Sequence, residues 1–160
     1  MYGPALAPYL DKPVRLLEIG VENGKSLGLW RRIFPNHEFL AGIGYGFGSA
    51  VHDEFKRQLT DKHTLYTGSQ ADVTFLKKIQ EDVGPQKFDV IIDDGSHVPW
   101  HQIFTLEFLF DELLREGGVY IIEDVETSYW DKPGVEIYDT KIPNGGFGKH
   151  GNALEKLKGI

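Results

Sequence analysis

Apolar residues follow two rhythms along the first three quarters of the chain. Short apolar runs fall at residues 14–19, 38–43, 64–67, 88–93 and 119–123, and longer stretches between them repeat apolar side chains every three or four positions. Such alternation predicts repeated βα units and a parallel sheet. The runs at 88–93 and 119–123 are nearly continuous in Val and Ile, as strands covered on both faces should be. Helices are predicted over 26–34, where Leu27, Trp30, Ile33 and Phe34 share one side ahead of Pro35, and over the shorter amphipathic segments 50–59 and 72–82. A fourth helix opens around Pro99, carries Ile103, Leu106, Leu109, Phe110 and Leu113, and is expected to end at Gly117-Gly118, where a left-handed cap is easy.

Five strands joined by four crossovers give an α/β fold, a Rossmann-like doubly wound parallel sheet in the order 3-2-1-4-5. After Tyr129 the pattern dissolves. Residues 131–151 hold Pro133, Pro143 and glycines 134, 145, 146, 148 and 151 and read as loop, while 152–160 reads as a helix barely begun. The expected organisation is one domain, with a core over 1–130 and a glycine- and proline-rich loop plus the start of a helix over 131–160.

Composition narrows the class. With 160 residues, 41% hydrophobic and 26% charged, the chain fits one globular domain rather than a disordered or fibrous protein. No apolar run approaches the roughly 18 residues of a membrane span, and no basic-then-apolar leader opens the chain, so no membrane partner is expected. The absence of cysteine excludes thiolate metal sites, disulfides and cysteine nucleophiles and fits a cytoplasmic setting. A net charge of −7 without a long basic cluster disfavours nucleic acid and suits a divalent cation.

Ligands of open α/β sheets bind beyond the carboxyl ends of the strands. The first run leads into Glu18-Ile19-Gly20-Val21-Glu22-Asn23-Gly24-Lys25-Ser26. Gly20 and Gly24 let the backbone turn tightly and bring main-chain N–H groups to a ligand at the next helix. Their spacing differs from the Gly-x-Gly-x-x-Gly of dinucleotide sites, and a plain βα turn has the same signature. Glu18 adds weight, because a carboxylate ending an apolar strand is costly to bury without a partner.

The fourth run ends Asp93-Asp94-Gly95-Ser96-His97 and the fifth Glu123-Asp124. On neighbouring strands, these carboxylates and the imidazole converge. Such a cluster repels itself unless a cation neutralises it, and oxygen ligands suit a hard ion such as magnesium. The competing reading has Asp94 and Ser96 capping the next helix while the other carboxylates face water. An imidazole can take a proton at neutral pH, which suits His97 to general base catalysis. His101, one helical turn on, ranks below it because nothing ties it to the carboxylates. After the third run, Gln70 and Asp72 can offer an amide and a carboxylate to a purine edge, or Ser69 or Asp72 can cap the next helix.

The segment Leu17-Glu18-Ile19-Gly20-Val21, with Gly24 and Ser26, resembles motif I of class I S-adenosylmethionine-dependent methyltransferases. The segments 88–97 and 122–130 are more specific and resemble the magnesium-dependent sugar O-methyltransferases of macrolide and polyketide tailoring. The resemblance runs from Tyr2 to about Tyr129. It implies that Glu18, Gly20, Val21, Gly24 and Ser26 hold the methionine part of S-adenosylmethionine and that Ser69 and Gln70 lie against its adenine. Asp93 and Asp94 are implied beside the cofactor, Asp94, Glu123 and Asp124 as ligands of Mg2+, and His97 as the catalytic base.

Two features depart from the family. An acidic residue that binds the ribose is expected after the second strand, but this chain reads Gly42-Ile43-Gly44-Tyr45, leaving Tyr45, Ser49 or a backbone group to serve. The family's sixth and seventh strands also have no counterpart in the pattern after Tyr129. The fifth strand then ends the sheet as an exposed edge through which a homo-oligomer could form. The expected activity is O-methyl transfer to a hydroxyl of a small molecule, a natural-product sugar among the candidates, with Tyr138, Phe147 and His150 near the acceptor. A non-catalytic methyltransferase-like binding or regulatory domain, and a metal-dependent hydroxylase or hydrolase on the same scaffold, are the alternatives.

Overall fold

A computed structural model describes residues 2–22, 24–45, 54–130, 136–137, 140–141 and 152–158. A short helix α1 (Gly3–Leu6) and a 3-10 turn (Ala7–Tyr9) precede strand β1 (Arg15–Ile19), helix α2 (Lys25–Ile33) and strand β2 (Phe39–Gly44). Strands β3 (Lys56–Thr60) and β4 (His63–Thr67), helix α3 (Val73–Val83), strand β5 (Phe88–Asp93), helix α4 (Pro99–Glu112) and strand β6 (Leu114–Ile122) follow. A 3-10 turn (Val125–Tyr129), a small hairpin of β7 (Glu136–Ile137) and β8 (Thr140–Lys141), and helix α5 (Ala153–Leu157) complete the described elements.

The main sheet runs β3-β4-β2-β1-β5-β6, parallel throughout except for the antiparallel β3–β4 pair. Its five parallel strands reproduce the expected order, with β3 added at one edge and β6 forming the other. Successive strand side chains point to opposite faces, so the apolar runs divide between two cores. Leu16, Leu40, Leu65, Val90 and Ile92 meet Leu27, Trp30 and Phe34 on one face, together with Leu6 and Tyr9. Leu17, Ile43, Tyr66 and Ile91 meet Leu76 and Ile79 of α3 and Leu109 of α4 on the other. Helices thus cover both faces, as a doubly wound sheet requires.

Three expectations change. Of the helix predicted over 50–59, residues 50–53 lie outside the described residues, and 56–60 form β3, paired with β4 from Lys56↔Tyr66 to Thr60↔His63. The segment is short and polar, so tertiary pairing overrides a weak helical period, while Phe55 anchors it by its contacts with Tyr66 and Phe75. Helix α4 ends at Glu112, five residues before Gly117. Buried Leu113 and Leu114 start β6 instead, and Gly117 takes its positive φ of 73° where the register with β5 slips. The β7–β8 hairpin lies in the stretch expected to be loop, and Tyr138, Phe147 and His150 lie outside the described residues.

Helix α5 is capped by Asn152, whose side chain accepts from Leu154 N and Glu155 N. Asn152 Nδ2 in turn donates to Ser128 O at 2.9 Å, tying this helix to the turn that follows β6. No helix among the described residues is long and apolar enough to cross a membrane.

Candidate active site

The carboxyl ends of β1, β2, β4 and β5 open into a cavity of about 620 Å³ whose lining includes Gly20, Gly44, Tyr45, Ser69, Gln70, Asp94, His97 and His101. The strand ends come close enough to need glycine. Gly20 has φ +96°, and a Cβ there would lie 1.8 Å from the Asp94 carbonyl oxygen. A Cβ on Gly95 would lie 2.0 Å from Gln70 Oε1, so the Gln70 amide lies directly over that backbone.

This packing decides what Gln70 does. Its Nε2 donates to both oxygens of Asp93, at 3.1 and 3.2 Å, and its Oε1 accepts from Ser96 N at 2.8 Å. The amide is spent inward instead of being offered to a purine edge, because the fully buried Asp93 demands donors. Burial pushes the Asp93 carboxyl up to about 7, against the opposing hydrogen bonds from Gln70 and the Gly95 N–H. Asp72 is similarly committed: its carboxylate accepts from Thr74 N and Phe75 N and caps α3. Ser69 Oγ accepts from Ala71 N at 3.2 Å.

The first-strand residues divide between cavity and core. Gly20 faces the cavity, while Val21 is packed into the core on the α2 side of the sheet. Gly24 precedes α2 with φ +74°. Glu18 is buried at the end of β1 and accepts from Ser26 Oγ at 2.5 Å. Burial raises its pKa, and the nearby Asp94 and Glu123 carboxylates add to the rise against the Ser26 hydrogen bond.

Beyond β5 and β6, ligand atoms of Asp94, His97 and Asp124 all lie within 4.8 Å of one another. His97 Nε2 stands 3.6 Å from Asp124 Oδ2 and 4.0 Å from Asp94 Oδ1. Burial raises the Asp94 pKa, as do Glu123 and Asp124, while His97 opposes them. Glu123 turns its carboxylate to Tyr2, whose hydroxyl donates to Oε1. Burial and this contact push the Tyr2 phenol above its ordinary pKa.

The backbone is held in an unusual shape here. His97 (φ 55°) and Asp124 (φ 49°) both take the left-handed region, which is uncommon for residues other than glycine. Such conformations persist where the surroundings over-determine them. Thr127 Oγ1 donates to His97 O at 2.5 Å, Gln102 Nε2 to Glu123 O at 2.9 Å, and Glu123 N to Asp93 O at 2.9 Å. Sequence reading missed Tyr2, Gln102 and Thr127, because no local pattern signals a partner that far along the chain. Ser96 Oγ lies 2.7 Å from His101 Nδ1, which joins His101 to the cavity through a residue of the β5 motif.

No protein-family model matches the chain. Compared with curated proteins, it is 36% identical, over 99% of its length, to L-olivosyl-oleandolide 3-O-methyltransferase of Streptomyces antibioticus. It is 39% identical over 81% of its length to 8-demethyl-8-(2-methoxy-alpha-L-rhamnosyl)-tetracenomycin-C 3'-O-methyltransferase of Streptomyces olivaceus. Among solved structures, MycE methyltransferase from the mycinamycin biosynthetic pathway, in complex with Mg, SAH and mycinamycin VI, superimposes over 99% of the chain with a TM-score of 0.73 and 32% identity. Over the part of them that it covers, the chain is thus similar to sugar O-methyltransferases of natural-product pathways. It spans 39% and 32% of the length of the two curated relatives and 38% of MycE. The likeness runs over nearly the whole chain but over less than half of each relative.

Proposed function

We propose that the chain carries the cofactor and metal sites of a magnesium-dependent S-adenosylmethionine O-methyltransferase that acts on a hydroxyl of a natural-product sugar. The observation that carries this reading is the convergence of Asp94, His97 and Asp124 at the rim of a cavity floored by the glycine turn of β1. The donor set fits the metal, since Asp94 and Asp124 offer hard carboxylate oxygens and Glu123 immediately precedes Asp124. Burial first, and then Glu123 and Asp124, raise the Asp94 pKa, and a divalent cation would relieve the repulsion among these carboxylates.

Bound together, the two groups would supply an electrophilic methyl and the positive charge that makes a sugar hydroxyl acidic. The chain's own residues do the rest. Gly20 and Ser69 line the cofactor cavity, and buried Asp93 and Gln70 hold its floor. Asp94, Asp124 and Glu123 would hold the ion and, through it, the acceptor. His97 accepts the hydroxyl proton at Nε2, where two carboxylates face the imidazolium as it forms. The relatives' names support a sugar hydroxyl on a polyketide or macrolide as the acceptor class.

Gly44 favours a second reading. It lines the cavity at the end of β2, where the family places its ribose-binding carboxylate, and a chain that binds cofactor weakly could serve as a non-catalytic relative. Calorimetric titration with S-adenosylmethionine and S-adenosylhomocysteine, with and without Mg2+, separates the two. Binding of both ligands together with Mg2+ supports the methyltransferase. Cofactor binding without any metal response supports the non-catalytic domain, and metal binding with no cofactor binding rejects both.

A further inference from the structure

Tyr2 stands outside every motif, yet its hydroxyl reaches Glu123 across 121 positions of sequence. The ring behind that hydroxyl is fixed. It meets Trp30 edge-on, with centroids 5.5 Å apart and planes at 77°, and it packs against the apolar cluster that includes Leu27 and Phe34. The backbone is fixed as well, because the Leu6 N–H returns to the Tyr2 carbonyl at 3.0 Å, and Leu6 is itself buried. A rigid donor is therefore aimed at one oxygen of Glu123, which acts on Asp94 electrostatically but lies outside the group of Asp94, His97 and Asp124 whose ligand atoms fall within 4.8 Å of one another.

The same place in the fold explains why a donor is useful. Glu123 shares its surroundings with Glu18 and Asp94, both negative. Like charges push a free carboxylate side chain out toward water, and the Tyr2 hydroxyl holds the Glu123 carboxylate against that push. Ligating carboxylates are commonly oriented by such outer hydrogen bonds, whose removal typically costs about 10- to 100-fold in metal affinity.

We propose that Tyr2 is a positioning residue for the divalent cation, its hydroxyl holding one oxygen of Glu123 so that the other is left to join Asp94 and Asp124 around the ion. This rests on the metal site of the proposed function. The test is Mg2+ titration by calorimetry, with Mn2+ paramagnetic resonance as a second reading, on the chain and its Tyr2→Phe, Glu123→Gln and doubly substituted forms. Phe keeps the ring on Trp30, so the unfolding midpoint in chelator should match the parent and isolate the hydroxyl. Tyr2→Phe should weaken Mg2+ about 10-fold, and the same change made in Glu123→Gln should do nothing further. Unchanged or tighter Mg2+ binding by Tyr2→Phe, or a full loss that persists in Glu123→Gln, overturns the role of Tyr2. Failure of the parent chain to bind Mg2+ at all overturns the metal site itself, and is distinguishable because it appears before any substitution is made.

Discussion

The two ends of the sheet treat their carboxylates in opposite ways. At the amino end, Asp89 is buried but accepts from Arg15 N at 2.7 Å and pairs with the Arg115 guanidinium. Asp82 accepts from Lys56 Nζ at 2.8 Å and Tyr66 OH at 2.7 Å. Burial alone would push the Asp82 carboxyl up, yet donation from Lys56 and Tyr66 outweighs it and holds the group below its ordinary pKa. At the carboxyl end, Asp94, Glu123, Asp124 and Glu18 face one another, in the company of His97 and of the Tyr2 and Ser26 hydroxyls. Among the described residues, the acids of the amino end meet Arg115 and Lys56, while Asp94 at the carboxyl end meets Glu123 and Asp124, a balance of charge that suits an incoming cation. Paired acids are structural, and acids left facing acids point to an ion from outside the chain.

The sharpest break of that contrast is at His97. Its replacement by Ala should lower turnover by about 10²- to 10⁴-fold, the range for a lost general base, while calorimetry finds the affinity for S-adenosylmethionine nearly unchanged. Equal loss of both would make His97 a packing residue of the cavity and remove the base from the mechanism.

Asp93 sits at the carboxyl end but is treated like an amino-end acid, with donors from Gln70 and Gly95. Its burial nevertheless dominates, and the carboxyl is pushed up from 3.8 to about 7. Between those values the folded chain keeps a proton that the unfolded chain gives up, so stability falls as pH rises through the window and levels off above about 7. The span corresponds to about 4 kcal/mol. Urea unfolding between pH 4.5 and 8 should show this slope in the parent and a flatter one in Asp93→Asn. Parallel curves would mean that Asp93 is ionised throughout.

Asp89 tests the amino end. Asp89→Ala removes the acceptor of a backbone N–H on β1 and should cost about 2 kcal/mol in denaturant unfolding, with cofactor and Mg2+ affinities unmoved. A change below 0.5 kcal/mol would show that its pairing is dispensable and blur the difference between the ends.

Much of this division was legible in the chain. The strand runs are apolar and mostly followed by glycine, so the pattern alone puts Gly20, Asp94, His97, Glu123 and Asp124 at the carboxyl ends of the strands. Periodicity failed where tertiary partners decide. Residues 56–60 have too little apolar character to choose between helix and strand, and pairing with β4 chose for them. Gly117 looked like a helix cap because the sequence does not show that Leu113 and Leu114 are buried at the start of β6. Gln70 could be placed at the cavity, but not the inward turn of its amide, which depends on Asp93 and Thr105 from two other elements. Tyr2 carried no signal at all, because a single hydroxyl meeting a carboxylate 121 residues away leaves no mark on either neighbourhood.

The smallest expected effect has the opposite sign from the others. Asp94 carries a raised pKa because burial, Glu123 and Asp124 disfavour its charge, so in metal-free protein at neutral pH the ionised group costs stability. Asp94→Asn removes that charge while keeping the shape, and should raise metal-free stability by up to about 1 kcal/mol, a ceiling set by solvent screening of a half-exposed group. The same substitution should abolish the stabilisation that Mg2+ gives the parent, so the two thermal unfolding curves approach or cross as Mg2+ is added. An acid placed for the fold behaves like Asp89, whose loss destabilises with or without metal. An acid placed for a ligand should be better removed than kept until the ligand arrives, and a destabilised, still Mg2+-responsive Asp94→Asn would return Asp94 to the structural class.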